Sequence, residues 1–193
     1  HLLLQPVPLP QALLPALLPA PGLLEWMNGV RSPEVYSGKA EWSERKETGA
    51  AKIDEKLSAM AKVVDQAEIS GEPLPIISFF GPDEKLLENR AEALGTALKR
   101  DLLYLDLQKI EAAEAIRMLR FAMRDCRLNG GVLVVHGLNE WIDSIGVLPA
   151  ELDLLFSKWY VPVILLSDRN IVFPNEKNMN SRIILREEIE RLT

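Results

Sequence analysis

Apolar positions along the chain change period several times, and each change marks an element. Ile53, Leu57, Met60, Ala61 and Val64 recur at helical spacing, and Gly71-Glu72-Pro73 closes that segment. Ile76 to Phe80 is a continuous apolar run interrupted only by Ser78, the mark of a buried strand. Leu87, Ala91, Leu94 and Leu98 follow i, i+4, i+7, i+11, which predicts a helix over roughly Asp83 to Lys99. Leu102 to Leu107 reads as a short strand. Ala112, Ala115, Ile116, Leu119, Ala122, Met123 and Cys126 form the cleanest helical face, stopped by Asn129-Gly130-Gly131. Val132 to Val135 predicts a buried strand, Ala150 to Trp159 a helix, Val161 to Leu166 a strand and Ile183 to Leu185 a last short one. Continuous apolar strands alternating with helices imply an α/β fold. The expected form is a three-layer αβα sandwich around a mostly parallel sheet of about five strands.

The first 49 residues break this rhythm. From Leu2 to Leu24 leucines alternate with Pro6, Pro8, Pro10, Pro15, Pro19 and Pro21, so no uninterrupted apolar run can span a bilayer. No Lys or Arg precedes Arg31, which argues against a signal peptide, and the start at His1 without an initiator methionine suggests a fragment or a trimmed chain. So much leucine is costly to leave in water; the arm is expected to dock on its own domain or on a neighbouring protomer. Arg31 to Gly49 turns polar and reads as a linker, with Trp26, Tyr36 and Trp42 as anchor points. The expected organisation is a Leu/Pro-rich arm and linker over 1–49, followed by one α/β domain over 50–193.

Composition narrows the partners. The 193 residues are 48% hydrophobic, enough for a sizeable core, and the net charge of -6 supplies no basic field for nucleic acid, which is disfavoured as a partner. Cys126 is the single cysteine, so no internal disulfide framework exists and a reducing compartment, the cytoplasm, fits best. His1, His136 and Cys126 have no metal-ligand spacing, and no metal is expected.

Pro75 to Glu88 carries the strand, turn, helix grammar of nucleotide-binding α/β proteins. Counting the pattern G-x-x-x-x-G-K-[ST] from Gly81 puts Leu86 at the second glycine, Leu87 at the lysine and Glu88 at the hydroxyl residue. Leucine offers no charge to a phosphate, and Glu88 would repel one.

The order Phe79-Phe80-Gly81-Pro82, Ala91 to Gly95 (Ala-Glu-Ala-Leu-Gly), Leu102 to Leu107, Gly131 to Val135 and Val163 to Ser167 resembles the nucleotide-binding core of AAA+ ATPases. The resemblance covers roughly Leu57 to Leu185. The chain is similar to the degenerate N-terminal AAA+-like module that certain large bacterial ATPases, including those associated with contractile injection systems, carry before a catalytic module. It implies a P-loop-type core without intact Walker motifs, with a vestigial nucleotide site at Gly81, Pro82 and Ser167. It implies no catalytic residue and no cofactor for this chain by itself. ATP and magnesium would belong to the parent protein or bind here weakly. The family's second acidic motif ends an apolar strand in Asp-Glu, whereas Val132 to Val135 runs into His136-Gly137 and the next acid is Glu140. Ser167, beside Asp168 and Arg169, stands where the family has a polar sensor. Arg182 is weighed as an arginine finger against the commoner role of a surface ion-pair partner.

A non-catalytic module for assembly, protein interaction or regulation is the leading expectation. A weakly ATP-binding domain with an unorthodox site and a standalone protein-binding adaptor are the alternatives. A hydrolase triad from Ser78, Asp106, His136 and Asp168 is disfavoured: no G-x-S-x-G elbow exists and Ser78 lies inside its strand. Finally, Arg117, Arg120, Arg124 and Arg127 follow i, i+3, i+7, i+10 and form one basic stripe, with Phe121 expected partly exposed at its edge. The stripe is expected to contact protein, such as other modules or protomers of an AAA+ assembly.

Overall fold

The computed structural model describes residues 26–29, 31, 36–44, 53–158, 161–176 and 182–190. The chain divides into two compact units, His1–Ser37 and Gly38–Thr193. In the first, a helical turn at Trp26 is closed by the Gly29 N–H, donated to the Trp26 carbonyl at 2.9 Å. The arm over Leu2 to Leu24 and the boundary near Gly49 lie outside the described residues.

The second unit holds a six-stranded sheet. Its elements are β1 (Ala40–Ser43), α1 (Glu55–Ser70), β2 (Ile76–Phe80), α2 (Glu84–Leu98), β3 (Leu102–Asp106), α3 (Ala112–Asn129), β4 (Val132–His136), α4 (Ala150–Lys158), β5 (Val163–Ser167) and β6 (Ile184–Glu188). The strand order is β1-β3-β4-β5-β2-β6, with β1 antiparallel to β3 and every other pair parallel. The α/β sandwich expected from the alternation is therefore present, with one strand more than the five read from apolar runs.

That extra strand, β1, falls in the stretch read as linker. Its sequence Ala-Glu-Trp-Ser carries no apolar run, because an edge strand needs only one anchoring, half-buried side chain to hold it. Trp42 supplies that side chain: a Cβ on Gly131 would come within 2.7 Å of its ring, so the indole lies directly on the Gly131 backbone.

Helix ends follow their cap residues. Asp54 accepts the Leu57 N–H at 2.9 Å to start α1, and Gly71 ends it in the left-handed region at φ 68°, where glycine has no Cβ penalty. Ile77 and Phe79 of β2, Val134 of β4 and Ile164 and Leu166 of β5 pack against Leu57, Val64, Leu87 and Leu94 of α1 and α2. The alternate residues Leu103, Leu105, Leu133 and Val135 are equally buried and face the other layer, where α3 lies against β3 and β4. Arg90 of α2 joins the first layer to the sheet edge: it holds Asp54 through bonds of 2.7 and 3.2 Å and the buried Glu187 of β6 through bonds of 3.1 and 2.7 Å.

Arg182 corrects both readings made of it. It is buried, 5% exposed, and its guanidinium donates to the carbonyls of Leu74 at 2.6 Å, Val161 at 2.9 Å and Phe156. Leu74 and Val161 lead into β2 and β5, and Phe156 is in the last turn of α4. The side chain thus ties together the amino edge of the sheet and caps a helix whose final carbonyls have no helical partner. It is neither a surface ion-pair partner nor free to reach a neighbouring phosphate.

Candidate functional site

In a doubly wound sheet, ligands bind beyond the carboxyl ends of the strands where the winding reverses. Here β2 leads through α2 to β3 across two intervening strands, and the chain then returns through β4 to β5 beside β2. A cleft of about 190 Å³ opens at that place, lined by Gly81, Pro82, Glu84, Leu87, Gln108, Gly137, Asn139, Leu166, Ser167 and Asp168. Gly81, Pro82 and Ser167, the residues expected around a vestigial nucleotide site, are brought together in its wall.

A phosphate cradle needs free backbone N–H groups at a helix N-terminus. Key donors around this cleft have partners inside the protein. Gly81 N–H goes to the Ser167 carbonyl at 3.0 Å, and Pro82 has no N–H. Asp83 caps α2 and accepts the N–H groups of Lys85 at 3.1 Å and Leu86 at 3.3 Å, so a carboxylate of the chain itself sits where a phosphate would bind. Only Gly81, Pro82 and Asp83 separate β2 from α2. Leu86, Leu87 and Glu88 are therefore already helical. Leu87, at the lysine position, is 3% exposed and part of the core, and Glu88 pairs with Lys85 at 3.1 Å on the surface. Gly81 itself is fixed by packing: a Cβ there would lie 2.3 Å from the Ile189 carbonyl oxygen.

The acidic-motif position is closed in the same way. Gly137 adopts φ 74°, and a Cβ on it would meet the Gln108 backbone nitrogen at 2.7 Å and an Asp106 carboxylate oxygen at 2.9 Å. Asp106 accepts the Gln108 N–H at 3.0 Å and pairs with Lys109 at 2.9 Å. Partial burial pushes its pKa upward, but the Lys109 ammonium, His136 and the Gln108 N–H outweigh that and hold it below its ordinary value. His136 stands opposite Asp106 in register, with Nδ1 3.6 Å from Glu84 and its ring edge-on to Tyr104. Burial, with Glu92 and Glu88 nearby, drives the Tyr104 phenol pKa up.

At the sensor position the Ser167 hydroxyl donates to the Arg169 carbonyl at 2.7 Å. Asp168 is gripped by Arg169 at 2.7 and 2.8 Å, which lowers its pKa, and its N–H is donated to Asn139 at 2.8 Å. Of the four triad candidates, Asp106 and His136 are neighbours, whereas Ser78 is fully buried at mid-strand. Among the described residues no group of His, Cys, Asp and Glu could hold a metal, and no helix is long and apolar enough to cross a membrane.

The arginine stripe is only partly free. Arg117 and Arg120 are exposed, as is Arg127, and Arg117 bonds to Glu114 at 2.6 Å. Arg124 folds over the half-buried Phe121, 5.1 Å from its ring centre, and donates to Asp125 at 2.8 Å. Helical spacing places all four on one side, but it does not register that a buried acid one residue on captures the third.

Several carboxylates share one tendency: Asp54 beside Arg90, Asp106, Asp168 beside Arg169 and Glu176 beside Arg186 all have lowered pKa values. Groups depressed in the folded state stabilise it fully above their unfolded pKa, about 4, and lose that contribution as pH falls through the folded value. The urea midpoint is therefore expected to stay level from pH 7 to about 5 and to fall below about 4. A midpoint that rises on acidification would contradict these pairings.

No protein-family model matches the sequence, and no curated protein is similar to it in sequence. The fold is similar to that of the FIGL-1 AAA domain solved in complex with ADP, with a TM-score of 0.50 at 12% identity, over 75% of this chain and 57% of that one. At that identity the likeness establishes the architecture alone: this chain has an AAA-like α/β core and spans little more than half the length of that domain.

Proposed function

We propose that this chain is a non-catalytic AAA+-like module of a larger ATPase, serving assembly, protein interaction or regulation while a separate module hydrolyses ATP. One observation carries the reading: the helix N-terminus at the switch point is capped by Asp83, so an internal carboxylate occupies its phosphate-binding donors. The buried Leu87 and the closely packed Gly137 support it, because charge is missing where a phosphate and its magnesium would need it. The exposed arginines of α3, Arg117, Arg120 and Arg127, suit bidentate pairing with carboxylates of another protein module.

Calorimetric titration of the purified chain with ATP and magnesium is expected to give no heat of binding up to about 1 mM, and no phosphate release above buffer. Asp83→Ala is expected to cost about 1 kcal/mol through the lost cap and still not to yield turnover. Stoichiometric ATP binding by the unaltered chain, abolished by a bulky residue at Ser167, would favour instead a weakly nucleotide-binding domain using the same cleft.

A further inference from the structure

On α3 the arginines and the acids stand on different sides of the helix. At about 100° per residue, Arg127, Arg120, Arg124 and Arg117 fall within an arc of about 80°, and Glu114 and Asp125 lie about 60–80° beyond Arg117. Those two acids leave part of the stripe unbalanced. Glu114 is shared between Arg117 at 2.6 Å and Lys39, just before β1, at 3.7 Å. The buried Asp125 takes Nε of Arg124 at 2.8 Å, while Nη1 of that guanidinium is shut from solvent and makes no hydrogen bond. Among the described residues Arg120 and Arg127, both exposed, form no ion pair. Two further acids are exposed nearby, Glu111 at the N-cap and Glu151 of the adjoining α4, and neither pairs with the stripe.

The arc also has apolar borders. Ile116 lies on the side of Arg127, and Leu128 and Phe121 lie on the side of Arg117, all three half-buried. A ligand resting on Arg120 and Arg127 would therefore cover aliphatic surface as well as charge.

We propose that this face of α3 receives an acidic, amphipathic segment of another protein module. Its carboxylates pair with Arg120 and Arg127, which stand seven residues and so about 10 Å apart along the helix, and its aliphatic side chains cover Ile116 and Leu128. Uncompensated guanidinium groups on a chain of net charge -6 select an anionic partner. The aliphatic borders select a polypeptide, because a phosphate backbone would leave them wet, and the unpaired cations come from one helix rather than from several elements tracking a strand. The inference rests on the proposed function for the partner's being a protein module, and adds the chemistry of the segment.

Fluorescence anisotropy with the full chain tests it, using a labelled peptide of four Glu-Glu-Leu repeats and a counterpart with serine in place of leucine. The leucine peptide is expected to bind saturably at roughly 10–100 µM in 150 mM salt, and the serine peptide about fivefold or more weakly. The double variant Arg120→Glu/Arg127→Glu is expected to lose at least about tenfold in affinity with unchanged circular dichroism. Lys62→Glu/Lys85→Glu, the same change of charge at exposed positions elsewhere, is expected to keep it. An unaltered chain that binds neither peptide up to about 500 µM would overturn the proposal. So would equal losses in the two double variants, or equal binding of the two peptides. Tighter binding of single-stranded DNA or of phosphatidylserine vesicles than of the leucine peptide, lost in the arginine variant, would assign the face to phosphate instead. The calorimetric titration with ATP reports separately on the proposed function: ATP binding beside intact peptide binding would remove the non-catalytic reading and leave this contact standing, and absence of both would do the reverse.

Discussion

Replacing Arg182 by methionine is expected to cost about 3–5 kcal/mol of unfolding free energy. Methionine keeps much of the aliphatic stem but donates to nothing. The carbonyls of Leu74, Val161 and Phe156 then lose a buried donor together, at about 1–3 kcal/mol for each group left without a partner. For a chain of this length that corresponds to a fall in melting temperature of roughly 6–20 °C. Lysine should recover only part of the loss, since its compact ammonium cannot span carbonyls that a planar fork reaches from three nitrogens. A melting temperature unchanged in Arg182→Met would mean that the side chain does not organise the amino edge. Loss of stability with methionine and full recovery with lysine would assign the effect to charge alone.

Gly81→Ala is expected to be the second large effect, about 2–4 kcal/mol. The added methyl would sit 2.3 Å from the Ile189 carbonyl oxygen, and backbone cannot swing aside as a flexible side chain does. The chain after β6 must back away, breaking the Ile189 N–H bond to the Phe80 carbonyl, now 2.8 Å, and loosening Glu187 from Arg90. Gly71→Ala is the control: φ is 68° there but nothing lies within 4 Å of the new carbon, so only the conformational penalty of about 1 kcal/mol is expected. Equal losses at the two positions would show that backbone conformation, not collision, sets the cost. Amide exchange should locate the damage, with protection falling at Ile189 in Gly81→Ala alone.

Periodicity read the interior well because buried faces repeat. The stripe of Leu87, Ala91 and Leu94 and the runs at Val132 and Val163 each became the expected element within a few residues. β1 escaped because its anchorage is a single indole lying on a glycine far along the chain, which no local window registers. The cleft was located by its strand-turn-helix grammar, and the absent lysine was plain at Leu87. What filled the space was less plain. Asp83 just before a periodic run is an ordinary cap signal that a helix begun at Asp83 itself passed over, and that the same carboxylate takes the phosphate donors follows only once the connection is seen to be three residues long. Arg182 misled for a related reason. A charged residue beside a strand is usually solvated, and its burial depends on carbonyls contributed by segments 108, 26 and 21 residues away.

Gly137 also bears on the history open to this chain. An acid cannot simply be introduced at that position, because the space for even its first carbon is taken by the Gln108 backbone and the Asp106 carboxylate, and the positive φ disfavours a side chain. A phosphate-binding site here would need the loop after β3 to retreat, Asp83 to give up its cap and Leu87 to leave the core in concert. Each of those steps taken singly lowers stability while returning no activity for selection to favour. Under the proposed function, such a site acts as a ratchet: neutral drift can deepen the closure, and no single substitution at Gly137, Asp83 or Leu87 opens it.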